Sequence, residues 1–238
     1  MAEGGGAVSL KVASARSLQE VLKPLGGAFE RETGTPVEYF FGPVGTVQER
    51  LDSGEHADVI ILSDALIGKL ASAGRIANES VRPVGRVGIM LAVREGAPAP
   101  DISTPERFKQ ALLSARAIAC SDPAIGGSAG THFAALLQRF GIEDAVRDKL
   151  LKRASGVKTA EAVASGEADF GITLLPEMLP VKGVYPAAPL PDALQKFTTY
   201  VAAVSVQCAA ADTAAAFIRA AADPGLAASW RAAGVEPL

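Results

Sequence analysis

The chain has 238 residues, of which 49% are apolar and 21% charged, and it carries a formal net charge of −3 at pH 7. This composition is that of a globular protein, long enough for one large domain or two lobes with a sizeable core. A slightly acidic chain without a block of Lys and Arg is a poor match for nucleic acid. No apolar run approaches the roughly 20 residues of a membrane-spanning helix. We therefore expect no nucleic-acid partner and no membrane insertion.

Cysteine and histidine usage bears on disulfides and metals. Cys120 and Cys208 lie far apart in apolar, strand-like runs, which favours two buried thiols and leaves a disulfide as the alternative. With two histidines and no Cys/His cluster, we expect neither a metal nor another cofactor.

The chain starts with MAEGGG, which lacks a positively charged segment followed by an apolar one. This start predicts no signal peptide in the chain as given. Two locations stay open: the periplasm, if a leader has been removed, and otherwise the cytoplasm.

The first third of the chain alternates strand-like and helical patterns. Short apolar runs, each followed by a loop and by apolar residues at helical spacing, predict three β–loop–α units. The predicted strands are 9–13, 37–41 and 57–62, and the predicted helices begin near Leu18, Thr46 and Asp64. Such units favour a parallel sheet with helices on both sides.

The rest of the chain adds further α/β units. Predicted strands are 86–93, 117–120, 168–175 and 200–206, and predicted helices include 133–140, a short one containing 159–164, then 209–222 and 226–233. A sheet interrupted by a second α/β unit predicts two lobes, residues 7–83 with 204–238 and residues 84–203. Two lobes with a cleft between them are suited to capturing a ligand by hinge closure.

Loops that lead from strands to helices hold the candidate binding residues, because open α/β sheets bind ligands beyond the carboxyl ends of their strands. In the first loop, the hydroxyls of Ser14 and Ser17 cap the next helix or contact a ligand. Arg16 of the same loop binds a carboxylate or stays solvated. The second loop, GPVGT, either brings the chain close to a ligand or forms a tight turn; its candidate residues are Val44, Gly45 and Thr46.

The third loop lies in SDPAIGGSAGTH, residues 121–132, between a predicted strand and a predicted helix. Unpaired N–H groups and the positive dipole end at a helix start favour an anion. The stretch has neither the Gly-Lys-Ser/Thr of a Walker loop nor the G-x-G-x-x-G of a dinucleotide site, which favours an anion smaller than a nucleotide. His132 is either a surface residue or a ligand donor and acid/base group. The other candidate ligand residues here are Gly127, Ser128, Ala129, Gly130 and Thr131.

The fourth region combines SGVKT, residues 155–159, with TLLPE, residues 173–177. Lys158 is either solvated or close to the ligand. No Ser-His-Asp, Cys-His or paired-carboxylate arrangement can be assigned in these loops. The residues alone therefore predict a two-lobed receptor for a small anion.

At these loops the chain resembles the periplasmic molybdate-binding protein family, the solute receptors of ABC importers. The resemblance covers nearly the whole chain and rests on RSLQEVLKPLGGAFERETGTPV, FGPVGTVQERLDSGEHADVIILSD, SDPAIGGSAGTHFAALLQRFGI, VASGEADFGITLLPE and FIRAAADPGLAASWRAAGVEP. It implies an α/β, two-lobed type II periplasmic-binding-protein fold, each lobe a mainly parallel sheet flanked by helices, with the ligand in the cleft.

The resemblance matches some ligand positions and departs at others. Ser17 corresponds to the family's first ligand serine, and Ala129 and Val157 correspond to its backbone donors. Val44 stands where the family has a second ligand serine, and Leu174 where it has a ligand tyrosine. Apolar side chains donate no hydrogen bond to a buried oxyanion, and each missing bond loses about 1–3 kcal/mol. This favours a partly apolar organic acid held by Arg16 and by groups such as Thr173, with Val44 and Leu174 packing its carbon skeleton.

Three hypotheses follow. The favoured one is a monomeric receptor that binds a di- or tricarboxylate and delivers it to an ABC permease. The second is an isomerase that resembles aconitate isomerase and shifts a double bond in a tricarboxylate, with His132, Glu177 and Lys158 as the candidate catalytic residues. The third is a molybdate- or tungstate-binding protein. Fold alone does not separate them.

Overall fold

The computed structural model describes residues 9–238, which divide into two compact units. Unit 1 consists of the described residues up to Arg86 together with Thr199–Leu238, and unit 2 is Val87–Thr198. The lobe boundaries proposed from the sequence, 7–83 with 204–238 and 84–203, remain predictions. Residues 7 and 8 of the first lobe and the MAEGGG start lie outside the described residues.

The strands and helices follow one another in a mixed α/β order. The strands are β1 Leu10–Ala15, β2 Val37–Gly42, β3 Val59–Ser63, β4 Arg82–Arg94, β5 Ile118–Ser121, β6 Leu150–Arg153, β7 Phe170–Leu174, β8 Val184–Pro189, β9 Phe197–Val204 and β10 Glu236–Pro237. The α-helices are α1 Gln19–Thr33, α2 Val44–Asp52, α3 Asp64–Ser72, α4 Pro105–Ser114, α5 Ser128–Phe140, α6 Glu143–Val146, α7 Gly156–Ala164, α8 Leu175–Met178, α9 Ala211–Ala221 and α10 Ala227–Ala232.

Unit 1 is built on strands in the order β2-β1-β3-β9. β1 pairs in parallel with β2 and β3, whereas β9 runs antiparallel to β3, and β10 pairs antiparallel with the start of β4. The apolar runs of β1 and β3 are almost completely buried because helices cover the sheet. Helix α1 packs against α9, where the rings of Phe29 and Phe217 meet edge to face with centroids 5.4 Å apart.

Unit 2 has strands in the order β8-β4-β7-β5-β6. β5 pairs in parallel with β6 and β7, and β4 runs antiparallel to β7 and β8. Helix α7 packs on β5 and β7 through small residues, since a side chain at Gly171 would press on Val163 and Thr159. The parallel strands β5, β6 and β7 are each followed by a helix, so their carboxyl ends place the starts of α5, α7 and α8 at one edge of the sheet.

Several elements differ from the sequence prediction. Helices α2 and α5 begin at Val44 and Ser128, earlier than the predicted Thr46 and Phe133. Strands β6, β8 and β10 and helices α4 and α6 were not predicted. β6 and β8 are short and only partly buried, so their apolar patterns are weak.

Both cysteine thiols are free, so the disulfide alternative is wrong. Cys120 is buried as expected, but Cys208 is only half-buried because β9 ends before it, at Val204.

Candidate functional site

The carboxyl end of β1 in unit 1 leads into a 3-10 turn, Arg16–Leu18. Ser17 is buried, and its hydroxyl donates a hydrogen bond of 2.7 Å to the hydroxyl of Tyr200. The interpretation of the loop serines as helix caps is wrong, because neither this turn nor α1 has a side-chain cap. Ser14 is fully buried, with its hydroxyl 3.3 Å from the carbonyl oxygen of Ala15. Arg16 is exposed and has no ion-pair partner among residues 9–238.

Tyr200 lies at this site although no sequence motif predicted it there. It is buried on β9, which pairs with β3 and places Tyr200 opposite Ser63, the last residue of β3. Residues directly opposite on antiparallel strands point to the same face of the sheet. Three hydroxyl residues are therefore grouped at this edge of unit 1: Ser63 and Tyr200 from strands, and Ser17 from the turn. The signal in the sequence was a tyrosine next to the otherwise apolar run VAAV.

The segment GPVGT consists of the last residue of β2, the N-cap Pro43 and the first turn of helix α2, rather than a loop before the helix. Pro43 is the N-cap, and Val47 donates the first intrahelical hydrogen bond, 3.0 Å to the carbonyl of Pro43. The N–H groups of Val44, Gly45 and Thr46 therefore have no partner within the helix. The apolar ligand contact of the Val44 side chain stays a prediction, and its backbone N–H is a donor at this helix start.

Helix α5 begins inside the glycine-rich stretch that was predicted as a loop. Gly127 is its N-cap, and the first intrahelical bond runs from the N–H of Thr131 to the carbonyl of Gly127, at 3.0 Å. The N–H groups of Ser128, Ala129 and Gly130 are thus the ones left for an anion. Gly130 has a packing role as well, because a Cβ there would overlap the carbonyl oxygen of Ser121 at the end of β5.

His132 follows in the same helix and is half-buried. Its Nε2 lies 2.7 Å from the carbonyl oxygen of Leu194. Since a carbonyl oxygen only accepts, Nε2 carries a proton and donates it to this bond. His132 therefore fastens α5 to the segment before β9, and this nitrogen is not placed to act as a base.

Helix α7 begins next to a carboxylate of unit 2. Its N-cap Ser155 accepts a hydrogen bond of 3.2 Å from the N–H of Lys158, and the first helical residue is Gly156. Glu177 lies against Gly156, and its Oε2 accepts a bond of 3.0 Å from the hydroxyl of the fully buried Thr173. A Cβ at Gly156 would overlap both Glu177 and Thr173, so a larger residue there would displace the Glu177 carboxylate and the Thr173 hydroxyl.

The remaining candidates of unit 2 have distinct positions. Leu174 is buried at the end of β7, opposite Ile89, and Val157 is half-buried in the first turn of α7. Lys158 points to solvent, where its ammonium group lies 2.6 Å from Oε2 of Glu161, one turn further along the helix. The structure thus groups Thr173, Glu177 and the start of α7, and it places the Lys158 ammonium in a surface ion pair.

Unit 2 also has a cavity of about 330 Å³. Of the predicted ligand residues only Gly130 lines it, beside Cys120 and Phe133. Burial raises the pKa of the Cys120 thiol to about 11, so the thiol stays protonated near neutral pH and is not a nucleophile. Within residues 9–238, no three or more His, Cys, Asp and Glu side chains are grouped as a metal site would need.

Comparison with known proteins assigns the family. Residues 10–236 match the family model described as bacterial extracellular solute-binding protein. The chain belongs to this family. Among residues 9–238 of this solute-binding protein, no helix has the length and apolar character to cross a membrane.

The chain is also similar to individual proteins and solved structures. The solute-binding protein is 30% identical over 239 residues to aconitate isomerase of a Pseudomonas species, a match covering 97% of this chain and 88% of the relative. The periplasmic molybdate-binding protein of Azotobacter vinelandii superposes with a TM-score of 0.72 at 24% identity, covering 95% of this chain and 98% of that one. The sulfate-binding protein SubI of Mycobacterium tuberculosis gives 0.74 at 17% identity, covering 97% and 87%. The α/β type II periplasmic-binding-protein fold and the molybdate-binding-protein-like resemblance are therefore confirmed.

Proposed function

We propose that this solute-binding protein binds a small organic anion of the di- or tricarboxylate class. In unit 1 the exposed guanidinium of Arg16, which has no ion-pair partner among residues 9–238, is suited to a carboxylate, and the hydroxyl of Ser17 lies next to it in the chain. In unit 2 the first-turn N–H groups of α5 are donors for a second carboxylate. The side chains of Val44 and Leu174 supply apolar contacts for a carbon skeleton.

The observation that carries this proposal is the carboxylate of Glu177 at the start of α7. The resemblance implies a ligand contact at Val157, the residue that follows Gly156. A tetrahedral oxyanion bound there presents charged oxygens in every direction. Two like charges 4 Å apart repel each other by about 4 kcal/mol at an effective dielectric constant of about 20. An extended organic acid separates its charges and is able to place a C–H group beside Glu177 instead.

Catalysis is a second candidate function, and the match to aconitate isomerase favours it because it covers 97% of the chain. Moving a double bond in a tricarboxylate requires a base that takes a proton from carbon, and groups that stabilise the resulting negative charge. A carboxylate beside helix N-termini supplies both kinds of group. We propose isomerisation of a tricarboxylate such as aconitate as the activity to test first.

The partners and the location follow from the receptor function. A receptor of this family would work outside the cytoplasmic membrane as a monomer and pass its ligand to an ABC permease. The description of the family as extracellular supports the periplasmic alternative.

A thermal-shift screen tests the proposed ligand class. The purified protein is heated with molybdate, sulfate, phosphate and a panel of di- and tricarboxylates. A ligand at 100 times its Kd stabilises the fold by about 2.7 kcal/mol, which gives a clear shift in Tm. We expect a shift with one or more tricarboxylates; a shift with molybdate alone would contradict the proposal. Proton NMR of the mixture with the best tricarboxylate then shows whether its double bond moves.

A further inference from the structure

We propose that Glu177 is the proton-transferring catalytic residue of a double-bond isomerisation, with Thr173 as its positioning residue. This inference rests on the isomerase activity proposed above. It assigns one group of unit 2 to the chemistry in preference to the two other candidates, His132 and Lys158.

Glu177 is held in one orientation by its own unit. Strand β7 ends at Leu174, and α8 follows at once, with the buried Pro176 fixing the backbone before Glu177. The hydroxyl of Thr173 donates to Oε2 at 3.0 Å. This bond fixes the orientation of the carboxylate.

The neighbour of Glu177 is Gly156, the first residue of helix α7. Gly156 leaves the space that the carboxylate fills, and Val157 follows with an N–H group in the first turn of α7. Because an ionised carboxylate repels the charged oxygens of a ligand, the part of a tricarboxylate that faces Glu177 is a C–H group. A base in this position lies where the proton has to be removed. The positive end of the α7 dipole stabilises the negative charge that develops on the substrate in this step.

The other two candidates are engaged elsewhere. The Nε2 proton of His132 is bonded to the carbonyl of Leu194, and the ammonium group of Lys158 is paired with Glu161 at the surface. Glu177 is the one of the three that lies among the strand-end residues of unit 2.

Glu177 alone carries out both proton transfers of the isomerisation. The carboxylate of Glu177 takes a proton from the CH₂ carbon next to the double bond. The electron pair of that C–H bond forms the new double bond, and the old π pair moves toward the far carbon and its carboxylate. Glu177, now a carboxylic acid, returns the proton to that far carbon. The double bond has moved by one position, Glu177 is regenerated, and no oxidant or co-reactant is consumed.

The test compares four variants with the wild type, using aconitate as the probe. Proton NMR follows interconversion of cis- and trans-aconitate, calorimetry measures binding, and circular dichroism checks folding. We expect Glu177→Gln to lower kcat by at least 100-fold, within the range for loss of a general base, with Kd changed by less than tenfold. Glu177→Asp, which keeps the carboxylate but withdraws it, is expected to fold and to lose most of kcat. Thr173→Val lowers kcat about tenfold with little change in KM, and Thr173→Ser restores it.

The control is Glu161→Gln, which removes a surface carboxylate of α7 and is expected to keep the wild-type rate. If the wild type isomerises aconitate and Glu177→Gln keeps a rate within twofold, the assignment of Glu177 is overturned and the isomerase function stands. If the wild type binds aconitate without isomerising it, both the assignment and the isomerase function are overturned, and the receptor function remains. If the Glu177→Asp variant folds and retains the full rate, the claim that the carboxylate must lie where Glu177 places it is overturned.

Discussion

The two units are both built from strands followed by helices, but they carry different polar side chains at the ends of their strands. In unit 1, a bonded pair of neutral hydroxyls, Ser17 and Tyr200, lies at the turn that carries the exposed Arg16. In unit 2, the carboxylate of Glu177 lies against the first residue of α7, oriented by Thr173. Both units offer helix starts to an anion, so the side chains beside those starts decide which anion is accepted.

The largest loss of stability is expected from a substitution at Gly156, where the carboxylate of Glu177 contacts the start of α7. Gly156→Ala forces a Cβ into the space of Glu177 and Thr173, and overpacking of this kind destabilises by about 1–3 kcal/mol. We expect a loss within that range in urea denaturation. Gly68→Ala in the interior of α3 is the matched control, since a Cβ there meets nothing within 4 Å, and it should keep or raise stability, by up to about 1 kcal/mol. Equal losses in the two variants would contradict the close contact at Gly156.

The buried thiol of unit 2 makes stability depend on alkaline pH. Burial raises the pKa of Cys120 from 9.0 to about 11, so the folded state keeps this proton while the unfolded state loses it. The stabilisation is complete below pH 9 and is lost as pH rises toward 11, by about 2 to 3 kcal/mol. Urea denaturation of the wild type and Cys120→Ala from pH 8 to 11 measures it. Parallel pH curves for the two proteins would show that Cys120 contributes nothing.

Arg16 tests whether unit 1 contributes a carboxylate contact. Arg16→Ala should weaken a carboxylate ligand by about 2 kcal/mol, close to 30-fold in Kd. Folding stability should stay the same, because the side chain is exposed and pairs with no group of residues 9–238. Arg31→Ala, another exposed arginine, is the control. Unchanged affinity in calorimetry would remove Arg16 from the site.

The smallest effect concerns the hydroxyl pair of unit 1. Tyr200→Phe keeps the buried ring but removes the partner of Ser17, which should lower stability by about 1 kcal/mol. Ser17→Ala should lower it similarly. The double variant should lose less than the sum, since both changes remove the same bond. Strict additivity in denaturant melts would contradict the pairing.

Local patterns predicted much of the fold because its repeated units are local. The apolar runs of β1, β2 and β3 and the periodicity of α1 and α9 are visible over a few residues each. The starts of α2 and α5 were placed too late, because their N-caps are Pro43 and Gly127 and give no hydroxyl or carboxylate signal.

The site was less predictable, since its contacts join distant parts of the chain. Ser17 and Tyr200 are 183 positions apart, and Tyr200 reaches its place only through the antiparallel return of β9. The contact of Glu177 with Gly156 depends on how α7 packs against β7. Short motifs located the loops that carry these residues, but the partners of each side chain follow from tertiary packing.

The measurement that tests the central claim most directly is a calorimetric titration of the wild-type protein with trans-aconitate and with molybdate in the same buffer. We expect saturable binding of the tricarboxylate and no saturable binding of molybdate at millimolar concentration, because the carboxylate of Glu177 would repel a compact dianion. Tight binding of molybdate together with no binding of any tricarboxylate would contradict it.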